Sequence, residues 1–198
     1  MFTQKIIPLL IAMLFATGAA LAQDITLTAS ESSTMIIDGD SNVHNWEAQV
    51  TQVNGTLVLQ NVESVAAENL TIESFKSLSM TVPVDGIDAE SGGLRKNIHK
   101  YMKKDDYPNV TFELNNVTDI TDQNGSLLIT GNGTITVTGN TYNTDIQVTA
   151  SVQNGGIQFT GEQQLLMTDF GIDPPAAVFG TIRSKDEVII RFDVTFQN

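Results

Sequence analysis

The segment Asp38-Gly39-Asp40-Ser41-Asn42 begins like a calcium-binding loop, with an oxygen-bearing side chain at alternate positions. Such a loop needs glycine at its sixth position and a bidentate glutamate at its twelfth. Here the sixth position is Val43 and the twelfth is Gln49. We therefore interpret the segment as a turn and predict no metal site.

Two other short motifs resemble nucleotide chemistry but lack the partners that this chemistry requires. Asp169-Phe170-Gly171 matches the magnesium motif of protein kinases, yet no glycine-rich loop, strand lysine or catalytic loop accompanies it. Gly131-Asn132-Gly133 lacks the third glycine of a dinucleotide-binding turn. Both are interpreted as chance matches, and no cofactor is expected.

Catalytic side chains are sparse. There is no cysteine, and His44 and His99 lie on different predicted elements. A catalytic triad or a zinc site would need one of these histidines together with partners that the sequence does not indicate. We interpret His44 as a core or barrel-end hydrogen-bonding residue and His99 as part of a solvated helix face. Counting carboxylates leaves a glycosidase-type pair open, but the sequence singles out no pair, and we expect no enzymatic activity.

One segment has the periodicity of a helix. After Ser91-Gly92-Gly93, the apolar residues recur at i, i+4, i+7 and i+8, which predicts a single amphipathic helix ending near Asp105-Asp106. These residues are Leu94, Ile98, Tyr101 and Met102.

The same segment carries most of the positive charge of an acidic chain. A helix dipole favours cations at its C-terminal end, which explains Lys103 and Lys104 but not the cations at the other end. We therefore expect Arg95, Lys96 and Lys100 to contact an anionic headgroup or an anionic membrane surface. The alternative interpretation is a solvated helix face.

Strand periodicity dominates the remainder of the chain. Apolar side chains alternate with polar ones in the C-terminal segment, where one face collects Val188, Ile190, Phe192, Val194 and Phe196. The same alternation recurs in three further segments: Val110, Phe112 and Leu114; Ile135 and Val137; Ile146, Val148 and Ala150. Hairpin or bulge signals occur at Asn54-Gly55, Asn124-Gly125, Asn132-Gly133 and Gly155-Gly156. Regular strands with tight turns predict an all-β sandwich or closed barrel, and periodicity does not separate the two.

Large side chains on these inward faces and on the helix stripe are the candidate ligand contacts. They are Trp46, Phe75, Tyr101, Met102, Phe112, Phe159, Phe170 and Phe192. Inward aromatic side chains fill a small barrel as readily as they line a cavity, so both interpretations stay open.

The chain begins with Lys5, an apolar run and Ala20-Leu21-Ala22, a pattern that predicts a cleaved signal peptide over residues 1–22. The mature domain would span residues 23–198, a periplasmic or secreted protein. At roughly 175 residues it can bury a sizeable core without disulfides. Removal of Lys5 changes the formal net charge from −13 to −14, which disfavours nucleic acid as a partner.

Four segments, in this order, resemble the YceI-like family. They are Ser41-Asn42-Val43-His44-Asn45-Trp46, leading to Asn54-Gly55-Thr56-Leu57; the helix with Met102, followed by Tyr107-Pro108-Asn109-Val110-Thr111-Phe112; residues 131–139; and Thr168-Asp169-Phe170-Gly171-Ile172-Asp173-Pro174-Pro175, continuing to the last strand.

The resemblance implies a lipocalin-like, eight-stranded antiparallel β-barrel with one short helix, which binds polyisoprenoids or other long-chain amphiphiles. We therefore expect an exported lipid carrier or scavenger that makes transient membrane contact. The alternative is a periplasmic stress or interaction module with a filled barrel and no bound lipid. The sequence leaves the oligomeric state open, a homodimer included.

Overall fold

The computed structural model describes residues 23–177 and 180–198. The predicted signal peptide, residues 1–22, lies outside the described residues. The described residues form twelve strands: β1 (Ile25–Ala29), β2 (Thr34–Ser41), β3 (Trp46–Val50), β4 (Asn54–Leu59), β5 (Phe75–Pro83), β6 (Ile87–Asp88), β7 (Asn109–Asp122), β8 (Leu127–Val137), β9 (Asn140–Gln153), β10 (Gly156–Leu166), β11 (Ala176–Ala177) and β12 (Ile182–Gln197).

Six short strands act in pairs, and each pair forms one longer, bent strand of the barrel. The pairs are β1 with β2, β3 with β4, and β5 with β6. β1 and β2 both pair with β12, β1 also pairs with β4, and β2 also pairs with β3. The following strands continue this meander: β5 pairs with β4 and β7, and β6 pairs with β3. The pairing of β1 with both β4 and β12 closes the sheet. The result is the predicted antiparallel barrel of eight strands with one helix.

Tight turns join the long strands β7 to β10. Asn124-Gly125 and Asn154-Gly155 take positive φ angles between β7 and β8 and between β9 and β10. Asparagine and glycine are the residues that accept this backbone conformation in two-residue hairpins. Thr138-Gly139, which was not predicted as a turn, forms the third turn in the same way.

The helix α1 (Gly92–Tyr101) lies in the connection from β6 to β7. Ser91 caps its first turn by accepting a hydrogen bond from the Leu94 backbone N–H at 3.4 Å. The β2–β3 turn (42–45), the β8–β9 turn and residues 167–177 and 180–181 lie at the same end of the barrel, here called the helix end. No helix in the described residues is long and apolar enough to span a bilayer.

The opposite end is filled by a tight apolar core, and we call it the closed end. Leu27, Leu57, Leu59 and Ile157 are fully buried there together with Phe196. Segment 60–74 covers this end and contributes buried Val62 and Leu70. The well-packed part of the core therefore lies at one end of the barrel.

Some sequence interpretations of turns and bulges need correction. Asp38, Gly39 and Asp40 belong to strand β2 rather than to a turn, because Ile37, Asp38 and Gly39 pair with β3. Asn132-Gly133 lies inside β8, and the predicted irregularity is a bulge on the facing strand β7, between Leu114 and Asn116.

Candidate functional site: an apolar lumen

A cavity of about 630 Å³ occupies the barrel interior. Its wall is built from the inward side chains of nearly every strand, and those of β12 are the alternating set found in the sequence. Val188, Ile190, Phe192, Val194 and Phe196 all line it. The inward facing predicted for these residues is therefore confirmed.

Many inward apolar side chains are only half-buried, although the barrel wall screens them from bulk solvent. Met35, Ile37, Leu78, Met80 and Leu114 are examples. Their accessible surface faces the cavity, because all five side chains lie on the inner face of the barrel wall and line the cavity. An interior filled by packed side chains would leave them fully buried. The interior is therefore an open lumen.

Every candidate ligand contact from the sequence lies in the wall of this lumen: Trp46, Phe75, Tyr101, Met102, Phe112, Phe159, Phe170 and Phe192. Other lining residues were not predicted from the sequence, among them Met35, Ile37, Leu78 and Met80. Their period-2 spacing is visible in the sequence and would have identified two further inward faces.

Phe159 and Phe196 form the floor of the lumen toward the closed end. Their rings meet edge to face with centroids 5.9 Å apart. The lining residues that are exposed to solvent include His44, Ser91 and Gly93, all at the helix end. The lumen thus has a packed floor and opens at the helix end.

The helix covers this opening with its apolar stripe. Leu94, Ile98, Tyr101 and Met102 all line the lumen, as their helical spacing predicts. His99, expected on a solvated face, is instead partly buried and hydrogen-bonds the Ile87 carbonyl through Nε2 at 2.9 Å. This bond fixes the covering helix to the barrel rim.

No Asp, Glu, Lys or Arg of the described chain lines the lumen. Its few polar groups lie mainly at the helix end, at Ser41, His44, Ser91, Asn97 and Ser184, with Gln163 on β10. The Ser41 hydroxyl is engaged by the β2–β3 turn, because it donates to the His44 carbonyl at 2.8 Å. Within residues 23–177 and 180–198 no cluster of three His, Asp or Glu side chains could hold a metal ion.

Trp46 begins strand β3, and its indole lies across Gly39 of β2, its register partner. A Cβ on Gly39 would lie only 2.0 Å from Trp46 Cζ2, so glycine makes room for the ring. The indole Nε1 is buried and has no hydrogen-bond acceptor among the described residues. A buried donor without a partner is costly, at about 1–3 kcal/mol.

The cations of the helix lie outside the lumen. Arg95 is paired with Asp88, with Nη1 and Oδ1 2.8 Å apart, and Lys104 with Asp85 at 2.7 Å. Lys96 is exposed and makes no ion pair within the described chain. Lys100 is exposed too, with its Nζ 5.6 Å from the centre of the Tyr101 ring.

These ion pairs perturb the carboxylates at the rim. The hydrogen bond from Arg95 lowers the pKa of Asp88, with a further contribution from the Ala89 backbone N–H. The hydrogen bond from Lys104 lowers the pKa of Asp85. Both carboxylates are well exposed, so the shifts describe the pairing of surface charges rather than a reactive site.

Comparison with known proteins gives one family match. The model of the YceI-like domain matches residues 26–196. No curated protein sequence matches significantly.

Solved structures share the fold at low identity. BcnA of Burkholderia cenocepacia is 15% identical with a TM-score of 0.61, over 82% of this chain and 95% of that one. A polyisoprenoid-binding domain of Saccharophagus degradans, implicated in plant cell wall breakdown, is 8% identical with a TM-score of 0.64, over 87% and 97%. A mutant of the Campylobacter jejuni YCEI protein is 16% identical with a TM-score of 0.51, over 75% and 82%.

Proposed function

The chain belongs to the YceI-like family, and on that premise we propose that it is an exported protein that holds a long-chain amphiphile, of polyisoprenoid or fatty-acyl type, inside the barrel. The observation that carries this proposal is the open lumen, lined by half-buried apolar side chains and by no charged one. The polyisoprenoid-binding domain of similar fold supports the same class of ligand.

The lumen has room for a substantial tail. If a methylene-sized group occupies about 30 Å³, the share of a water molecule in the liquid, about 20 such groups fit in the 630 Å³ lumen. Each buried CH₂ contributes about 0.8 kcal/mol of transfer free energy. A tail of this length is therefore bound tightly even after the cost of ordering it.

The polar groups suggest the orientation of the ligand. The tail would point toward Phe159 and Phe196, and the polar end would lie at the helix end near Asn97 and Ser184. A ligand oxygen that reached the Trp46 Nε1 would satisfy its unpaired N–H. A head lying inside the lumen should be uncharged, because no lining side chain could neutralise it.

A charged head or a membrane would instead meet the outer face of the helix. Lys96 and Lys100 are exposed there, whereas the charge of Arg95 is largely compensated by Asp88. Of the three cations expected from the sequence to make this contact, we therefore assign the larger role to Lys96 and Lys100.

The role is that of a carrier or scavenger rather than an enzyme. Catalysis would require titratable groups converging on one point, and the polar lining residues of the described chain include no carboxylate or amine. The alternative, an interaction module with a filled barrel, does not account for the half-buried inward side chains.

Native purification tests the proposal. Mass spectrometry of an organic extract should yield an isoprenoid or fatty-acyl species in near-stoichiometric amount. Protein refolded from denaturant without lipid should melt at a lower temperature, because the ligand stabilises only the folded state. Empty extracts together with equal melting temperatures would instead favour the interaction module.

A further inference from the structure

The barrel wall is incomplete between β9 and β10. Their backbone pairing runs from Gly156 with Gln153 to Thr160 with Thr149 and then stops. Both strands continue toward the helix end, β9 back to Asn140 and β10 on to Leu166, while each keeps its other neighbour. The two strands therefore part in the upper half of the barrel.

Side chains replace part of the missing backbone pairing. Gln163 Nε2 donates to Thr144 Oγ1 at 3.1 Å and to the Gln164 carbonyl at 3.2 Å. The Thr144 hydroxyl in turn donates to the Asp145 carbonyl at 3.1 Å. Exposed strand edges carry unpaired backbone groups that must be satisfied in another way, and here one carbonyl on each strand accepts a side-chain hydrogen bond. The polar side chains of Gln163 and Thr144 therefore make hydrogen bonds where the backbones of the two strands are not paired.

The parted strands connect the lumen to the surface. Val148 and Gln163 line both the lumen and a groove on the outer wall. Tyr142 pairs with inward-facing Ile135 and so lies on the inner face, yet it is 38% exposed. Above it, Phe170 packs against the Tyr142 ring with centroids 5.9 Å apart. We call this opening the side slot.

We propose that the side slot is the passage by which the apolar tail moves between the lumen and the exterior, with the Gln163–Thr144 hydrogen bond as its latch. This inference rests on the proposed function. The slot is bordered inside by Ile146 and Val148, which offer an apolar path. Outside it is flanked by Asp145 and Glu162, which disfavour the passage of an anionic head.

The helix end is the competing route, and it is held more firmly. The helix and the turn after it are tied to the rim by the Arg95–Asp88 pair, the His99–Ile87 hydrogen bond and the Lys104–Asp85 pair. Across the side slot, one side-chain hydrogen bond joins the parted strands in the described chain. Above the slot, Thr138 Oγ1 and Asn140 Nδ2 both donate to the Phe170 carbonyl. Separating the strands below Phe170 leaves these two bonds in place and so breaks fewer interactions than lifting the helix.

A covalent lock tests the passage directly, since the chain has no cysteine of its own. The double variant Thr144→Cys/Gln163→Cys is joined with a short, cleavable bis-maleimide. Uptake of geranylgeraniol is followed by stopped-flow emission of Trp46, which is the only tryptophan and lines the lumen. The control is Ser151→Cys/Gln158→Cys. These two residues lie opposite each other where β9 and β10 are still paired.

Crosslinking should slow uptake about tenfold or more in the slot variant, cleavage should restore it, and the control should be unaffected. Equal uptake before and after crosslinking would overturn the passage and assign uptake to the helix end. If wild-type protein shows no uptake and no equilibrium binding, the proposed function itself fails, and the passage fails with it.

A second variant tests the latch without a crosslinker. Gln163→Ala removes the bridge and should speed both uptake and release of the probe several-fold. Gln164→Ala is the matched control, because its side chain bonds Glu187 on the outer wall. Equal rates for wild type, Gln163→Ala and Gln164→Ala would show that the hydrogen bond is not a latch.

Discussion

The indole of Trp46 lies against the backbone of Gly39, its partner across strands β2 and β3. Gly39→Ala would place a methyl group 2.0 Å from the ring, so the ring must move into the lumen. We expect a loss of about 1–3 kcal/mol in the free energy of unfolding and a shift in the Trp46 emission. Urea denaturation followed by fluorescence measures both.

Gly92→Ala serves as the control for this substitution, because its added Cβ meets nothing closer than 3.8 Å. It should leave the stability and the emission as in wild type. An unchanged emission in Gly39→Ala would contradict the described contact between the ring and the strand.

The two ends of the barrel should respond differently to truncation. Leu27→Ala, at the fully packed closed end, should cost about 2–5 kcal/mol of the free energy of unfolding. Leu114→Ala should cost about 2 kcal/mol or less, because part of its side chain already faces empty space. Equal losses in chemical denaturation of lipid-free protein would argue against an open lumen.

Adding volume inside the lumen should reduce binding without harming the fold. Val188→Phe fills space in the lumen, whereas Ile189→Phe places the same ring on the outer wall. The free energy of unfolding of lipid-free Val188→Phe should lie within about 1 kcal/mol of the wild-type value. A larger side chain is strongly destabilising only where the space around it is already filled. Its affinity for geranylgeraniol, measured by Trp46 emission, should fall relative to Ile189→Phe. A strongly destabilised Val188→Phe would favour a filled barrel.

The Arg95–Asp88 pair should contribute to stability only while the carboxylate is ionised. The pKa of Asp88 is lowered in the folded protein, first by the Arg95 hydrogen bond, so its contribution is present above the unfolded pKa of about 3.9. That contribution is lost as the pH falls through the lower folded pKa. Asp88→Asn should therefore melt below wild type at about pH 7, with the difference shrinking toward pH 3.

Glu31→Gln provides the comparison for this acid dependence, since Glu31 has no ion pair within the described residues. Its melting temperature should equal that of wild type at both pH values. A difference between Asp88→Asn and wild type that stays constant from about pH 7 to about pH 3 would show that the ion pair is not its cause.

The exposed lysines of the helix should act on rate rather than stability. Lys96→Glu/Lys100→Glu should slow ligand capture from anionic vesicles about tenfold at low salt, and added salt should slow wild type toward the variant. Lys76→Glu, on β5 and paired with Asp24, is the control. Capture at the wild-type rate with unchanged melting would leave the helix as a cover for the lumen only.

Local pattern was sufficient to predict much of the wall of the lumen. A strand places alternate side chains on opposite faces, so Val188 to Phe196 had to share one face whatever their partners. Helical spacing did the same for Leu94, Ile98, Tyr101 and Met102. These assignments depend on neighbours along the chain, and the structure confirms their placement.

Three features depend on how the strands and the helix meet in the folded barrel, and local sequence pattern did not reveal them. Asp88 compensates Arg95, and Ile87 binds His99, only because β6 and the helix meet at the rim. An empty lumen rather than a filled one depends on how much of the barrel interior the inward side chains occupy together, which alternation alone does not set. The side slot arises because β9 and β10 pair with their outer neighbours for longer than with each other. The sequence thus determined which side chains face inward, and the closure of the barrel decided how much space they surround and where its wall can open.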